Sequence, residues 1–496
     1  MLEIQPQSIV GKDLHRLPRE DFQAADRSAD TPGRAPYQEA TSGIEGTNLP
    51  ARASHGPRGL SPQPPSSAHC RVAGRAMLRR TPSVENRLRV ALYSHDTMGL
   101  GHLRRNMLIA QVLASGPIAA TNLLITGAHE ANFFHLPERV DCLTLPRIEK
   151  NGAGEYSVGQ LDISVDRLAR MREMSIRSAL EHFQPDLLIV DKVPLGAFDE
   201  LVPVLEMLRQ NGGSRCVLGI RDVLDDSATV RHEWQQAACE QAIARYYDEI
   251  WVYGDQRVYD PALEYHWSAA VADKVRYTGY LDQSARLESQ AVKALSDHSR
   301  ADAATDAAFF RERNPDRPRV VCTLGGGQDG YRVGRAFLDS LAGQQALGLL
   351  LTGPFMPNDS FACLRARAAG LENARIVKFT DQADRILRSA DRVIAMAGYN
   401  TVCAILTYRK PALLVPRVSP RREQLIRTQR LCALDLVDML HPRDLSGTAI
   451  RRWLRLTPAP RDGLRQPLDM NGLARIQAYA ANLIRNQPTH PADSVG

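Results

Sequence analysis

The sequence predicts an α/β protein built from two Rossmann-like, doubly wound domains that face each other across a cleft. Two glycine-rich turns each close an apolar run, one within 89–102 and the other within 319–330. Continuous Val/Ile/Leu runs alternate with helical periodicity from residue 88 onward, as in parallel sheets covered on both faces. At 496 residues the chain also exceeds what one hydrophobic core usually organises.

The first predicted domain covers residues 87–282. Its short apolar runs predict strands, and the segments between them repeat apolar residues at helical spacing. The strands are expected at 88–94, 121–126, 186–191, 215–220 and 249–253, and the helices at 102–115, 164–183 and 197–211.

A polar, alanine-rich interdomain connection is predicted at 283–318. The second domain, at 319–440, repeats the alternation of apolar strands and helices. The tail at 441–496 ends in an apolar helix around 471–485, which we expect to close back onto the first domain. Strands of the second domain are expected at 319–324, 346–352, 375–379, 392–396 and 412–415.

Residues 1–86 differ from the rest of the chain. They lack apolar periodicity and are rich in proline and serine around 61–67. Because such a segment cannot bury enough apolar surface to offset its ordering entropy, we expect a disordered N-terminal extension. It has no long apolar stretch of the signal-peptide type. Met77 is a hypothetical alternative start, since the ordered pattern begins soon after it.

Composition excludes several classes of protein. Hydrophobic residues make up 44% and charged residues 24%, the proportions of an ordinary soluble protein. The net charge of +6 is spread along the chain without an RNA-binding aromatic motif, so no nucleic-acid partner is expected. The eight cysteines show no metal-ligand spacing, so neither a metal nor a disulfide framework is expected, and a cytoplasmic location fits.

No window is long and apolar enough to span a membrane. An apolar stretch at 131–136 leaves two interpretations open. It could make a peripheral contact with a membrane surface, or it could be a turn packed in the core, which is the commoner outcome for such a stretch.

The first glycine-rich loop carries polar side chains where a strand ends, the edge at which doubly wound sheets bind ligands. Gly99 and Gly101 lie in this loop, and His102 opens the following helix. His102 is a candidate general base or anion contact, with Asp96 as the alternative base. The competing interpretation of His102 is a helix-start histidine bonded to the loop backbone.

The second loop contains Gly325, Gly326, Gly327 and Gln328. It lacks the Lys-Ser/Thr ending of a P-loop and the spacing of a dinucleotide-binding fingerprint, which disfavours a triphosphatase and a simple dehydrogenase. A backbone nest for a phosphate or diphosphate, helped by the Gln328 amide, is the functional interpretation. A tight structural turn is the alternative.

A third element presents a second helix start to the same crevice. A strand ends near Gly398, and a helix begins near Asn400 and Thr401, both suited to capping. The following strand leads into a basic and amide-rich segment that includes Arg421, Glu423 and Gln424.

These loops resemble those of the GT-B glycosyltransferases, especially the group of the bacterial N-acetylglucosaminyltransferase that makes the peptidoglycan lipid intermediate, together with uncharacterised predicted glycosyltransferases. The resemblance covers roughly residues 88–440 in the order of elements, with sharp matches only in a few loops. It implies an acceptor-side loop ending at His102, a donor-diphosphate turn at Gly325–Gln328, nucleobase contacts at Phe379 and Thr380, a donor-phosphate turn at Gly398 and Thr401, and donor-sugar contacts at Glu423 and Gln424.

The sequence departs from that family at one important position. The family usually places a glutamate three residues after the threonine to hold the ribose hydroxyls, and here the residue is Ala404. Losing a charge-assisted pair of hydrogen bonds would cost ~1.5–3 kcal/mol. Glu423 also stands where the family more often has glutamine.

The resemblance implies transfer of a sugar from a nucleotide-diphosphate sugar to an unidentified hydroxyl acceptor, without a metal or other cofactor. The second domain would bind the donor, with Arg421 or Arg422 adding charge, and His102 or Asp96 would take the acceptor proton. Lys192 and Arg221 follow strands on the acceptor side, where a strand-end salt bridge explains them equally well.

Two alternatives remain at this point. The same fold serves nucleotide-sugar epimerases, which need carboxylates placed around the leaving sugar. A non-catalytic protein that binds a nucleotide sugar or another partner would also fit a cleft that lacks the ribose carboxylate at Ala404.

Overall fold

A computed structural model describes residues 87–95, 100–134, 136–150, 156–159, 161–287, 309, 317–380, 382–457 and 467–485. The extension predicted at 1–86, including Met77, lies outside these residues, as does most of the connection predicted at 283–318. Within them, no helix is both long and apolar enough to cross a membrane.

The first half of the chain builds a seven-stranded sheet in the order β3-β2-β1-β6-β7-β8-β9, with every neighbouring pair parallel. Its elements are β1 (Arg89–Ser94), α1 (Gly101–Ser115), β2 (Thr121–Thr126), β3 (Val140–Thr144), the hairpin strands β4 (Ile148–Lys150) and β5 (Tyr156–Val158), α2 (Val165–Phe183), β6 (Leu187–Asp191), α3 (Val202–Asn211), β7 (Arg215–Arg221), α4 (Ser227–Gln236), α5 (Cys239–Tyr246), β8 (Glu249–Tyr253), α6 (Pro261–Glu264), α7 (Ala269–Ala272) and β9 (Val275–Tyr277).

The second half builds a six-stranded sheet in the order β12-β11-β10-β13-β14-β15, again with parallel neighbours. Its elements are β10 (Arg319–Thr323), α8 (Tyr331–Leu341), β11 (Leu347–Leu351), α9 (Asn358–Ala369), β12 (Ala374–Val377), α10 (Ala383–Ser389), β13 (Arg392–Ala395), α11 (Tyr399–Thr407), β14 (Ala412–Leu414), α12 (Glu423–Ala433), β15 (Asp438–Met439), α13 (Gly447–Arg455) and α14 (Gly472–Arg485).

Both sheets therefore have the doubly wound strand order, and the predicted fold class is confirmed. Strand order reverses between β1 and β6 in the first sheet and between β10 and β13 in the second. In doubly wound sheets the crevice for ligands opens at the carboxyl ends of the strands at this reversal. Each glycine-rich loop follows the strand at its own reversal point.

The single helix predicted at 197–211 is wrong. A 3₁₀ turn at Ala197–Asp199 precedes α3, which starts only at Val202. Phe198 has a left-handed backbone with φ of +55°, which interrupts the helical path. Pro203 then occupies the first turn of α3, where its missing N–H costs no helical hydrogen bond. The short strands β3, β9 and β15 were not predicted, because they are edge segments of only two to five residues.

The last helix packs against the first half of the chain. In α14, the Gln477 amide donates to the carbonyl oxygen of Val112 in α1 at 2.7 Å. Asn471, just before this helix, pairs with Leu281 in an antiparallel bridge. One buried apolar cluster runs from Leu108 of α1 and Ile476 of α14 into the second half of the chain. The two sheets are thus joined by packing as well as by the chain.

Candidate active site

A cavity of about 340 Å³ lies between the facing edges of the two sheets. Both glycine-rich loops reach it, together with the start of α11. Predicted site residues in its lining are Gly101, His102, Arg221, Gly325, Gly326, Phe379, Thr380, Gly398, Asn400 and Thr401, and Ala404 lines it as well.

His102 sits at the start of α1 and is paired with a buried carboxylate. Its Nδ1 atom lies 3.2 Å from Oδ2 of Asp191, the last residue of β6. The side chain of Asp191 is 1% exposed and that of His102 is 14% exposed. Since β6 is the neighbour of β1, the strand reversal itself brings these two residues together.

Arg105, one turn further along α1, completes this group. Its Nη2 atom donates to both carboxylate oxygens of Asp191 at 2.5 Å and lies 3.1 Å from Nδ1 of His102. Burial alone would raise the pKa of Asp191, but Arg105 and His102 hold that pKa well below its usual range. Asp191 is therefore an anion at neutral pH, and Nε2 is the imidazole nitrogen left for a ligand in the cavity.

A buried carboxylate beside one imidazole nitrogen is the arrangement that orients a histidine and stabilises its protonated form during general-base catalysis. His102 was predicted for this role, whereas Asp191 was missed. The available signal was a charged residue ending the apolar strand Leu187–Asp191 next to β1.

The turn after β10 shows why glycine occupies it. Gly327 has φ of +94°, and a Cβ atom built there would lie 2.2 Å from the carbonyl oxygen of Thr352. Gly325 also has a left-handed backbone, with φ of +64°. The backbone N–H of Gly327 closes the turn on the carbonyl oxygen of Leu324 at 3.2 Å. Gly325 and Gly326 present this turn to the cavity, whereas Gly327 and Gln328 lie outside its lining.

Helix α11 begins at the same edge of the second sheet. Its N-cap residue is Gly398, and no side chain caps its first turn. The unsatisfied N–H groups of such a first turn, together with the helix dipole, favour an anion. Asn400 has a different role, since its Nδ2 atom donates to the carbonyl oxygen of Gly101 at 2.9 Å and links the two halves of the cleft.

The predicted residues around the start of α12 form ion pairs and hydrogen bonds with other residues of the chain. Arg421 pairs with Asp225 at 3.0 Å and with Glu233 at 2.6 Å. Oε1 of Glu423 accepts a hydrogen bond from the Arg417 side chain at 2.5 Å. Neither Arg421 nor Glu423 lines the cavity. Carboxylates of the first half of the chain thus hold Arg421 at the interface.

Gln424 lies beside these residues, also outside the cavity lining, and its side-chain oxygen accepts from the backbone N–H of Arg417 at 3.1 Å. Asp96 and Gly99, predicted in the first loop, lie outside the described residues. Phe134, in the stretch proposed to touch a membrane, packs edge-on against Phe379 with ring centroids 6.2 Å apart. Membrane contact remains a prediction.

Ala404 faces the cavity with 2% of its surface exposed. Among the lining residues that the structure describes, Asp384 is the acidic one. Its Oδ2 atom lies 3.2 Å from Nη2 of Arg104 in α1, and its side chain is 3% exposed. The carboxylate in the lining is thus engaged by an arginine from the opposite wall.

A buried ion pair fixes the two walls of the cleft to each other. Arg427 of α12 and Asp222, which follows β7, are 0% and 1% exposed and approach to 2.6 Å. Arg427 also donates to the carbonyl oxygen of Ala397 at 3.0 Å, and the Tyr280 hydroxyl donates to Asp222 at 2.8 Å. These contacts therefore join the two walls of the cleft directly.

The fold is similar to those of several solved structures. The calicheamicin glycosyltransferase CalG4 superposes with a TM-score of 0.53 at 14% identity, covering 81% of this chain and 99% of that one. UDP-GlcNAc 2-epimerase from Neisseria meningitidis superposes with a TM-score of 0.51 at 11% identity, covering 80% and 99%. The chain has the GT-B fold. At these identities the similarity concerns the fold alone.

Sequence comparison finds a family match for one part of this GT-B protein. Residues 339–446 match the glycosyltransferase family 28 C-terminal domain. A transferase of Paenarthrobacter aurescens (strain TC1), named UDP-N-acetylglucosamine–N-acetylmuramyl-(pentapeptide) pyrophosphoryl-undecaprenol N-acetylglucosamine transferase, is 29% identical over 210 residues. That match covers 41% of this chain and about half of the relative, 52% of its length. The predicted resemblance to GT-B glycosyltransferases of the family 28 group is confirmed.

Proposed function

We propose that this protein is a glycosyltransferase that moves a sugar from a nucleotide-diphosphate sugar to a hydroxyl acceptor without a metal ion. One observation carries the proposal. A single cavity joins His102, which is paired with Asp191 behind it, to the glycine turn and the first turn of α11 on the opposite wall. A proton acceptor and an anion site thus face the same space, as displacement of a diphosphate by a hydroxyl requires.

The residues divide the reaction between the two walls. The acceptor oxygen attacks the anomeric carbon and forms the new glycosidic bond, while the bond from that carbon to the diphosphate breaks. His102 accepts the hydroxyl proton, and Asp191 stabilises the imidazolium that results. The turn at Gly325 and Gly326 and the N-terminus of α11 offset the charge of the departing diphosphate.

The family match supports this proposal over the other activity found on the fold. The match lies in a glycosyltransferase domain, and the relative is named as a UDP-N-acetylglucosamine-dependent transferase. An epimerase would need cavity carboxylates able to exchange protons with the sugar. The lining carboxylate Asp384 is instead engaged by Arg104.

Ala404 favours a second candidate, a cleft that binds a nucleotide sugar or a partner without turnover. An alanine in the donor wall cannot accept hydrogen bonds from ribose hydroxyls. The two candidates differ in one outcome, since both bind a ligand but only the transferase consumes it.

A thermal-shift screen of the full chain against nucleotide diphosphates and their sugar conjugates tests the proposal, with UDP-N-acetylglucosamine first. A ligand at 100 times its dissociation constant should add about 2.7 kcal/mol of stability. We expect stabilisation by one nucleotide sugar, followed by release of its nucleoside diphosphate. Gly326→Val should abolish the shift, because Gly326 lines the cavity and a branched side chain there would take up space next to the proposed diphosphate turn.

Gly213→Val is the matched control, since no atom lies within 4 Å of a Cβ atom placed at this exposed glycine. It should keep the ligand shift. Absence of a shift with every nucleotide sugar would overturn the proposal, and binding without turnover would support the non-catalytic candidate.

A further inference from the structure

Two cationic residues follow neighbouring strands at the carboxyl edge of the first sheet. Lys192 directly follows β6, and Arg221 is the last residue of β7, the neighbouring strand. The backbone N–H of Lys192 donates to the carbonyl oxygen of Gly219 in β7 at 2.8 Å. Both side chains are half-buried, and Arg221 lines the cavity that His102 also lines.

These two cations differ from the other basic residues around them. Arg105, Arg421 and Arg427 each pair with an aspartate of the first domain. In the part of the chain that the structure describes, neither Lys192 nor Arg221 has a carboxylate within ion-pair distance. The strand-end salt bridge considered from the sequence is therefore not formed.

Arg221 is poorly satisfied in hydrogen bonding as well. Its Nη2 atom reaches only the carbonyl oxygen of Leu224, at 3.5 Å, and its buried Nε atom has no partner among the described residues. Burial lowers the pKa of Arg221, and Arg427 and Arg105 lower it further against the opposing effect of Glu423. A buried donor without a partner lowers the stability of the fold, so a ligand that accepts a hydrogen bond from this guanidinium would be stabilising.

Lys192 experiences the same excess of positive charge. Burial lowers the pKa of Lys192 to about 8, with Arg221 and Arg421 adding to the shift. Glu423 and Glu233 oppose it, but Glu423 is already paired with Arg417 and Glu233 with Arg421. An anion placed between Lys192 and Arg221 would relieve this repulsion.

We propose that Lys192 and Arg221 form a subsite for an oxyanion, a carboxylate or a phosphate, carried by a substrate and distinct from the donor diphosphate. The subsite belongs to the first domain, whereas the glycine turn and α11 that would hold the diphosphate belong to the second. This inference rests on the proposed function and deepens it. The acidic group comes either from the transferred sugar, as a uronic acid, or from the acceptor.

The subsite is tested by titrating the full chain with inorganic phosphate. The melting temperature is the readout, and it is measured both with and without UDP. The double variant Lys192→Gln/Arg221→Gln should bind phosphate at least tenfold more weakly than the wild type. Its melting temperature without ligand should not fall, because two repelling cations have been removed. Equal phosphate affinity in the variant and the wild type would overturn the proposal.

Arg209→Gln/Arg335→Gln removes the same charge from exposed helix positions and is the matched control. It should keep the phosphate response, which separates a local subsite from a general effect of net charge. Phosphate affinity of the wild type should also fall as the pH rises through about 8, where Lys192 loses its proton. The double variant should lack this step.

Two further ligands identify the source of the oxyanion. Tighter binding of UDP-glucuronate than of UDP-glucose, with the preference lost in the double variant, assigns it to the transferred sugar. Equal binding of the two, with the phosphate response intact, assigns it to the acceptor. If no nucleotide sugar of the thermal-shift screen binds while phosphate still does, the proposed transferase function fails and the anion subsite stands.

Discussion

The Nδ1 atom of His102 lies between a buried carboxylate and a buried guanidinium. If Nδ1 carries the proton, it donates to Asp191, and Nε2 is then the basic nitrogen that meets the cavity. In that tautomer Asp191 orients the imidazole for base catalysis, although Asp191 does not itself line the cavity.

Substitution of either member of this pair should lower turnover with little change in donor binding. His102→Gln removes the proton acceptor, and loss of a general base typically costs about 10²–10⁴-fold in rate. Asp191→Asn should also lower kcat, because it no longer fixes the tautomer. Release of nucleoside diphosphate during slow transfer to water measures both variants.

Asp391→Asn, at an exposed ion pair, provides the control and should leave that rate unchanged. Wild-type turnover in His102→Gln would contradict the assignment of the base.

Restoring a carboxylate at position 404 should strengthen donor binding. Ala404→Glu would return the hydrogen bonds to ribose hydroxyls, about 1.5–3 kcal/mol, or one to two powers of ten in affinity. Ala404→Gln has nearly the same size without the charge and should gain less. Calorimetric titration with UDP distinguishes the two. No gain in Ala404→Glu would mean that the nucleotide lies elsewhere.

At the scale of residues, the sequence predicts cavity residues that lie in or next to a recognisable loop. It does not predict residues that a distant strand brings to the same place. The places of His102, Gly325 and Thr401 in the cavity lining could be predicted because glycine turns and helix starts leave local patterns. Asp191 could not, since its role depends on a partner 89 positions away and on the strand order. Arg421 looked available in sequence because Asp225, its partner, belongs to the other domain.

At the scale of elements, the turn after β10 is governed by its backbone. Both Gly325 and Gly327 have left-handed φ, but only at Gly327 would a Cβ atom meet the backbone, 2.2 Å from the oxygen of Thr352. Position 325 has no atom within 4 Å of such a Cβ. The two glycines should therefore respond differently to substitution.

Gly325→Ala should lower the free energy of unfolding by about 1–2 kcal/mol, the cost of a left-handed L-residue. Gly327→Ala should lower it by clearly more, because the strands carrying the turn must also shift. Urea denaturation measures both. Equal effects of the two substitutions would show that the close approach to Thr352 does not restrain the turn.

Strands in the middle of each sheet were predictable because they are apolar on both faces, as at Leu187–Asp191 and Leu347–Leu351. Edge strands such as β9 and β15 lack that signal, and their pairing comes from the neighbouring strand. The break before α3 depends on left-handed backbone at Phe198, a residue type that carries no sequence signal for it.

At the scale of the whole molecule, the two halves of the cleft are joined by charges that are buried away from water. Breaking the Arg427–Asp222 pair by Arg427→Met should cost about 3–5 kcal/mol, since it leaves a buried carboxylate uncompensated. Arg319→Met breaks an ion pair that is 36% and 44% exposed, and should cost about 0–1 kcal/mol.

Thermal unfolding of the two variants measures the difference, and similar melting temperatures would contradict it. Removal of both partners in Arg427→Met/Asp222→Leu should recover part of the loss, because no buried charge remains.

The return of α14 to α1 makes the first domain discontinuous along the chain. While the protein is being synthesised, the surface of α1 that Gln477 contacts stays uncovered until residues 472–485 have left the ribosome. The second sheet, by contrast, has all its strands by residue 439. The first domain is therefore synthesised first but completed last. During that interval the apolar surface of α1 is exposed and available for a chaperone to bind.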